Sequence, residues 1–216
     1  MKQNFTKNVT NIFAIFFVVV FPHFVPLPFY SYAIVCLGVV ILILHKDNKN
    51  LRDLGLKQKG ISIKTFLVGI VSAIGWIAIM RWIYLPVIKY FFIVPDYTEY
   101  NFIQNHLSNL VITIFAAWVI GGFYEEIIFR GFIQKTIENW FNNKYSFLIA
   151  GLITSLIFGL YHWQQGYFGI FSAILSSLFW TYLFKRFGRN LWYTIFSHAL
   201  FDTITLILIY LGLFGK

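Results

Sequence analysis

Five ionisable side chains lie inside stretches that are otherwise apolar: Glu125, Glu126, His162, His198 and Asp202. An ionised carboxylate near the centre of a bilayer costs about 2.5–3.5 kcal/mol on insertion scales, so such residues face a bundle interior and mark a site. The other acids, Asp47, Asp53, Asp96, Glu99 and Glu138, fall in polar connectors or at a helix end and need no such explanation. Carboxylates and imidazoles together can move protons, activate water or hold a metal ion.

Spacing divides the work among them. Glu126 and Arg130 are four apart and share a helix face, so they can pair. Glu125 is rotated by about 100° from Glu126 and has no cation on its own helix, which leaves it available for chemistry. His198 and Asp202 are also four apart, as are Phe158 and His162, the phenyl ring walling the imidazole. Glu125 and His162 are equidistant from the turn at Asn142-Asn143-Lys144, each ~27 Å from it, and so meet at one level of an antiparallel pair. The last hairpin turns near Phe187-Gly188-Arg189, which sets His198 and Asp202 roughly 15–21 Å up the final helix. The levels agree if the first hairpin projects about 10 Å further into the cytoplasm, and this arithmetic favours access from the cytoplasmic half.

The elements that carry these residues are membrane spans. The chain has 216 residues, 59% hydrophobic and 12% charged, with a mean hydropathy of +0.72. A soluble domain is about 45–50% apolar and about 25% charged, so soluble, disordered and nucleic-acid-binding classes are excluded. The pattern predicts an all-α bundle of about seven spans (six to eight): 9–27, 31–44, 65–88, 107–130, 145–163, 167–184 and 190–213. Pro22, Pro26 and Pro28 separate the first two. The whole chain, 1–216, reads as one integral membrane domain, with 107–213 as its core helices. Fourteen of seventeen basic residues fall on one side, leaving Arg81, Lys89 and Lys216 on the other, so a multi-pass protein with a cytoplasmic N-terminus is expected. The first apolar run has no small-residue cleavage site and reads as a retained anchor. The basic loop 45–64 is expected to lie along cytoplasmic headgroups or to serve as a solvated connector. Cys36, the one cysteine, excludes an internal disulfide, and the use of Lys, Asn, Ile and Phe points to an AT-rich bacterial genome.

Three motifs in order resemble those of the CPBP intramembrane proteases (CAAX proteases and bacteriocin-processing enzymes, the Abi family). Glu125-Glu126-Ile-Ile-Phe-Arg130 is similar to their Glu-Glu-x-x-x-Arg, Phe158-Gly-Leu-Tyr-His162 to Phe-x-x-x-His, and His198-Ala-Leu-Phe-Asp202 to His-x-x-x-Asn/Asp. Asn190-Leu-Trp before the last motif also fits. The resemblance covers about 120–205 and implies hydrolysis of a peptide bond inside the membrane, with a membrane-associated peptide or protein as substrate. It implies Glu125 as general base with His162 holding the water, His198 and Asp202 on the oxyanion side, and Glu126, Arg130 and Phe158 in support. A carboxylate taken out of water is the stronger base, which suits Glu125 to the role. An ionised Asp202 cannot donate a hydrogen bond as the family's asparagine does, so it must be protonated, orient His198 or bind a metal. Glu125, His162, His198 and Asp202 are also possible ligands of a divalent metal such as Zn²⁺, though there is no His-Glu-x-x-His. The resemblance favours the metal-free version.

Two other function classes fit some of these features. Buried acids and histidines carry ions in transporters, but no inverted repeat is visible here. A non-enzymatic membrane partner, such as a bacteriocin immunity protein, would keep the fold without the chemistry. His23 and His106 read as structural, and the aromatic residues as lipid-facing bulk and interfacial anchors.

Overall fold

The computed structural model describes residues 2–25, 27–93 and 100–213. Pro26, Asp96, Glu99 and Lys216, which enter the reading above as turn and charge positions, lie outside them. Seven helices follow one another among the described residues: α1 Lys2–Phe24, α2 Tyr32–Lys46, α3 Ile63–Ile88, α4 Leu107–Glu138, α5 Ser146–Tyr161, α6 Gly166–Arg186 and α7 Leu191–Tyr210. By length and composition, α1, α3, α4, α6 and α7 can each cross a bilayer. The 15 residues of α2 and 16 of α5 reach only about 23–24 Å at 1.5 Å per residue, short of a ~30 Å hydrocarbon core. The fold is therefore an all-helical membrane bundle with two shorter members.

α4 departs from the expected regular helix. Its first part, Leu107–Ala116, is α-helical, but Ala117–Ile133 winds in wider turns, with hydrogen bonds from i to i+5. Such turns are rare and collect at functional sites. All of Glu125, Glu126 and Arg130 lie in this segment, and residues 124–134 are buried without a break.

α7 packs between α3 and α4, while α5 pairs with α6. With little hydrophobic force between helices in lipid, close packing and interhelical hydrogen bonds hold such bundles together. Here Ser72 Oγ donates to Ser197 Oγ at 2.9 Å, Trp118 Nε1 to Thr203 Oγ1 at 3.0 Å, and Trp76 Nε1 to Ser176 Oγ at 2.9 Å. α4 approaches α7 closely through Gly122, where a Cβ would come within 2.7 Å of the Ala199 Cβ.

The basic connection after α2 is not a free loop. Lys57 Nζ donates to Gly188 O at 2.9 Å, Lys135 Nζ to Asp53 O at 2.6 Å, Leu191 N to Gly55 O at 3.0 Å, and Trp192 Nε1 to Lys57 O at 3.0 Å. Gly55 has φ +112°, and a Cβ there would lie 2.5 Å from Arg189 O, so only glycine permits the approach. The connection is thereby strapped across one end of α4 and α7. At the same end Arg189 grips Glu138 with two bonds of 2.7 and 3.0 Å, and Lys7 pairs with Asp47 at 2.7 Å.

Candidate active site

The four residues with chemistry to spare come from three places. Glu125 sits in the wide-turn part of α4, His198 and Asp202 in the middle of α7, and His162 one residue beyond the end of α5. His162 is thus a helix terminator leading into the turn Trp163–Gln165, not a residue inside a span. Together they line one cavity of about 300 Å³.

The two glutamates part company at the backbone. Glu125 borders the cavity, whereas Glu126 points behind it and is fully buried. Glu126 Oε2 lies 3.3 Å from Arg130 Nε, and its Oε1 accepts a 2.9 Å hydrogen bond from His198 Nδ1. A carboxylate in this position fixes which ring nitrogen of His198 carries hydrogen and leaves Nε2 directed elsewhere. That Nε2 is 3.7 Å from Asp202 Oδ2. The Arg130 guanidinium lies over the rings of Phe158 and Trp180, at 4.5 and 5.3 Å from their centres, so two aromatic faces share its charge with Glu126.

His162 is oriented by its own helix. Its Nδ1–H donates to the Phe158 carbonyl at 2.8 Å; because a carbonyl only accepts, Nδ1 carries the hydrogen and the neutral ring keeps a bare Nε2. The Phe158 ring stands 4.6 Å from the imidazole. Phe158 is itself buried against Phe129 and Trp180.

Three contributors escape a reading of the sequence alone. Trp180, taken above with the lipid-facing aromatics, is 2% exposed and stacks on His198 with ring centres 3.7 Å apart. Gly121 lets Asp202 approach α4, since a Cβ there would lie 2.5 Å from Asp202 Oδ2. Gln165, which falls between two of the expected spans, lines the cavity. Only the Gly-Gly pair leaves a trace in the sequence, a small-residue step one turn before the acids.

The other lining residues include Tyr30, Tyr100 and Gln165, and Leu206 and Ile209 near the end of α7. All of these lie at the end of the bundle opposite the strapped basic connection. Toward the basic connection, the buried run 126–134 closes the floor, so the cavity opens toward the other end of the bundle.

The donor set does not fit a metal in this arrangement. No three His, Cys, Asp or Glu side chains among the described residues are gathered closely enough to hold an ion. Each imidazole is bonded through Nδ1 only, to Phe158 O and to Glu126, so the misfit lies in the spacing of the side chains and not in the ring nitrogens.

Residues 107–204, which contain Glu125, Glu126, Arg130, Phe158, His162, His198 and Asp202, match the family described as Type II CAAX prenyl endopeptidase Rce1-like. The Bacillus subtilis (strain 168) protein named "Putative membrane peptidase YdiL" is 30% identical over 176 residues, covering 81% of this chain and 68% of that protein. No solved structure matches the chain.

Proposed function

Because the chain belongs to the Rce1-like family of CAAX-type membrane peptidases, we propose that it is an intramembrane endopeptidase in which Glu125 activates the hydrolytic water. The observation that carries this reading is the separation of the two glutamates. Glu126 is bonded to His198 and paired with Arg130, whereas Glu125 borders the cavity beside His162, His198 and Asp202.

In this reading a water lies between the Glu125 carboxylate and the bare Nε2 of His162. Glu125 removes one proton as the water oxygen bonds to the scissile carbonyl carbon, and the carbonyl oxygen takes up the negative charge. His198 faces that oxygen. Its Nδ1–H is held by Glu126, so an Nε2–H, present in the imidazolium form, is the donor available to the oxyanion. Asp202, 3.7 Å from that nitrogen, orients the ring and does not need to donate. The tetrahedral intermediate collapses with cleavage of the C–N bond, and protonated Glu125 returns its proton to the leaving amine. Arg130, Glu126, Phe158 and Trp180 position these groups without touching substrate. No step is drawn through a metal.

The substrate of this reading is a membrane-associated peptide or protein, and the site of action is a bacterial cell membrane with the basic end of the bundle cytoplasmic. The test compares protein termini in membranes of cells carrying wild type, Glu125→Gln or no protein. Termini present with wild type and absent in both others support the peptidase and identify its substrate. They should persist when wild-type membranes are washed with a strong chelator. An unchanged set of termini with folded Glu125→Gln overturns the assignment of Glu125.

A further inference from the structure

A second cavity, of about 620 Å³, lies at the strapped end of the bundle, among the start of α1, the end of α2, the connection after it and the end of α4. It shares no lining residue with the candidate active site. Four cations line it, Lys7, Lys49, Lys135 and Arg189, against three carboxylates, Asp47, Asp53 and Glu138, which leaves one positive charge in excess. Two of the cations are already answered, Lys7 by Asp47 at 2.7 Å and Arg189 by Glu138. The Asp53 carboxylate accepts from Asn50 N at 2.8 Å and closes its own turn. The half-buried Lys135 donates to the backbone carbonyl of Asp53, and among the described residues neither it nor the exposed Lys49 forms an ion pair. An ammonium group carries three N–H donors, so Lys135 has two left for a ligand. Two such groups on one polar cavity suit an anion with several acceptor oxygens.

The outer groove between α1 and α2 adjoins this cavity. Ile43 lines both, and Thr10, the one polar residue of the groove, stands a turn from Lys7 along α1. The rest of its lining, including Phe13, Phe17, Val20, Phe24 and Leu42, is apolar. From Thr10 to Phe24 the groove follows α1 for ~21 Å at 1.5 Å per residue, and its volume is about 680 Å³. One leaflet of a ~30 Å hydrocarbon core is ~15 Å deep, so an acyl chain anchored at the polar end fits within that length. A second copy of the chain would cover the groove and leave the lysines unanswered; a free anion would answer the lysines and leave the groove unused.

We propose that the two cavities form one binding site for an anionic phospholipid, with the phosphodiester held by Lys49 and Lys135 and one acyl chain lying between α1 and α2. A lipid bound there joins the α1–α2 hairpin to the end of α4, the helix that carries Glu125. The site does not depend on the peptidase reading.

The test uses the full chain, purified in a mild detergent and stripped of lipid, then titrated with phosphatidylglycerol, phosphatidylcholine or inorganic phosphate. Binding is followed by native mass spectrometry and by Tm. One phosphatidylglycerol per chain should be retained, at least about tenfold more tightly than phosphatidylcholine, with a rise in Tm that inorganic phosphate alone does not give. Lys49→Glu reverses an exposed charge at the headgroup, and Leu42→Trp fills the groove with another apolar side chain. Each should weaken phosphatidylglycerol binding at least about tenfold while leaving the lipid-free Tm unchanged. Equal retention of the two lipids, undiminished binding in either variant, or a Tm rise with inorganic phosphate as large as with phosphatidylglycerol overturns the proposal.

Discussion

Glu125 and Glu126 are neighbours in sequence, yet their amide variants should fail in different ways. In Glu126→Gln the fully buried Arg130 loses its one counter-charge at 3.3 Å. Among the described residues, none of its side-chain nitrogens has another hydrogen-bond partner, and the rings of Phe158 and Trp180 offer only a partial substitute. Removing one member of a buried pair costs about 3–5 kcal/mol. For a chain of this size each kcal/mol moves the midpoint by about 2–4 °C, so Tm should fall by about 6–20 °C. Glu125→Gln breaks no pair and should leave Tm within a few degrees while lowering cleavage by about 10²–10⁴-fold, the usual contribution of a general base. The double variant Glu126→Gln/Arg130→Met removes the stranded cation and should recover most of the lost Tm, but not the activity, because a neutral amide at 126 no longer supports the His198 imidazolium. Thermal unfolding of purified protein in one detergent, alongside cleavage of a substrate found as above, measures all three. A Glu126→Gln protein as stable as wild type, or a Glu125→Gln protein as unstable as expected for Glu126→Gln, would refute the division of labour.

Two further substitutions test how the helices are held. Gly121→Ala puts a methyl group 2.5 Å from Asp202 Oδ2, so it should displace that carboxylate and reduce cleavage at least about tenfold while stability falls by no more than the about 1–3 kcal/mol of an overpacked site; unchanged turnover would exclude Asp202 from the working geometry. Asn190 accepts from Trp192 N at the start of α7 and donates to Gly60 O in the strapped connection, so Asn190→Ala should cost about 1–2 kcal/mol in denaturant or thermal unfolding, and Asn190→Asp should restore the cap but not the bond to Gly60.

Much of the bundle can be read from the sequence because lipid permits so few solutions. Apolar runs of sufficient length become helices, and the few acids and histidines they contain must turn inward. That argument brings Glu125, His162, His198 and Asp202 to one place before any coordinates are known. It fails where the outcome depends on local winding or on which partner a side chain meets. The i to i+5 turns of 117–133 carry no sequence signature that separates them from an α-helix, and Glu126 still reaches Arg130 because the four-residue step survives the widening. Trp180 has the composition of an interfacial anchor, and only tertiary packing turns it onto His198. Helical rise gives depth but says nothing of which end of a bundle is filled; the unbroken burial of 124–134 shows that the end nearer the basic connection is.

The two imidazoles also differ in how they are mounted. His198 is clamped on three sides, by the Trp180 face, the Glu126 carboxylate and the packing of α7 between α3 and α4. His162 hangs from the free end of a short helix by one bond to its own Phe158 carbonyl, next to a turn whose Trp163, Gln164 and Gln165 are exposed. The site therefore has a fixed jaw and a sprung one. Changes in the length of the α5–α6 turn should shift His162 while the charge assembly behind His198 stays in register. A bundle built this way can change what it cuts through a surface turn and leave its buried machinery untouched.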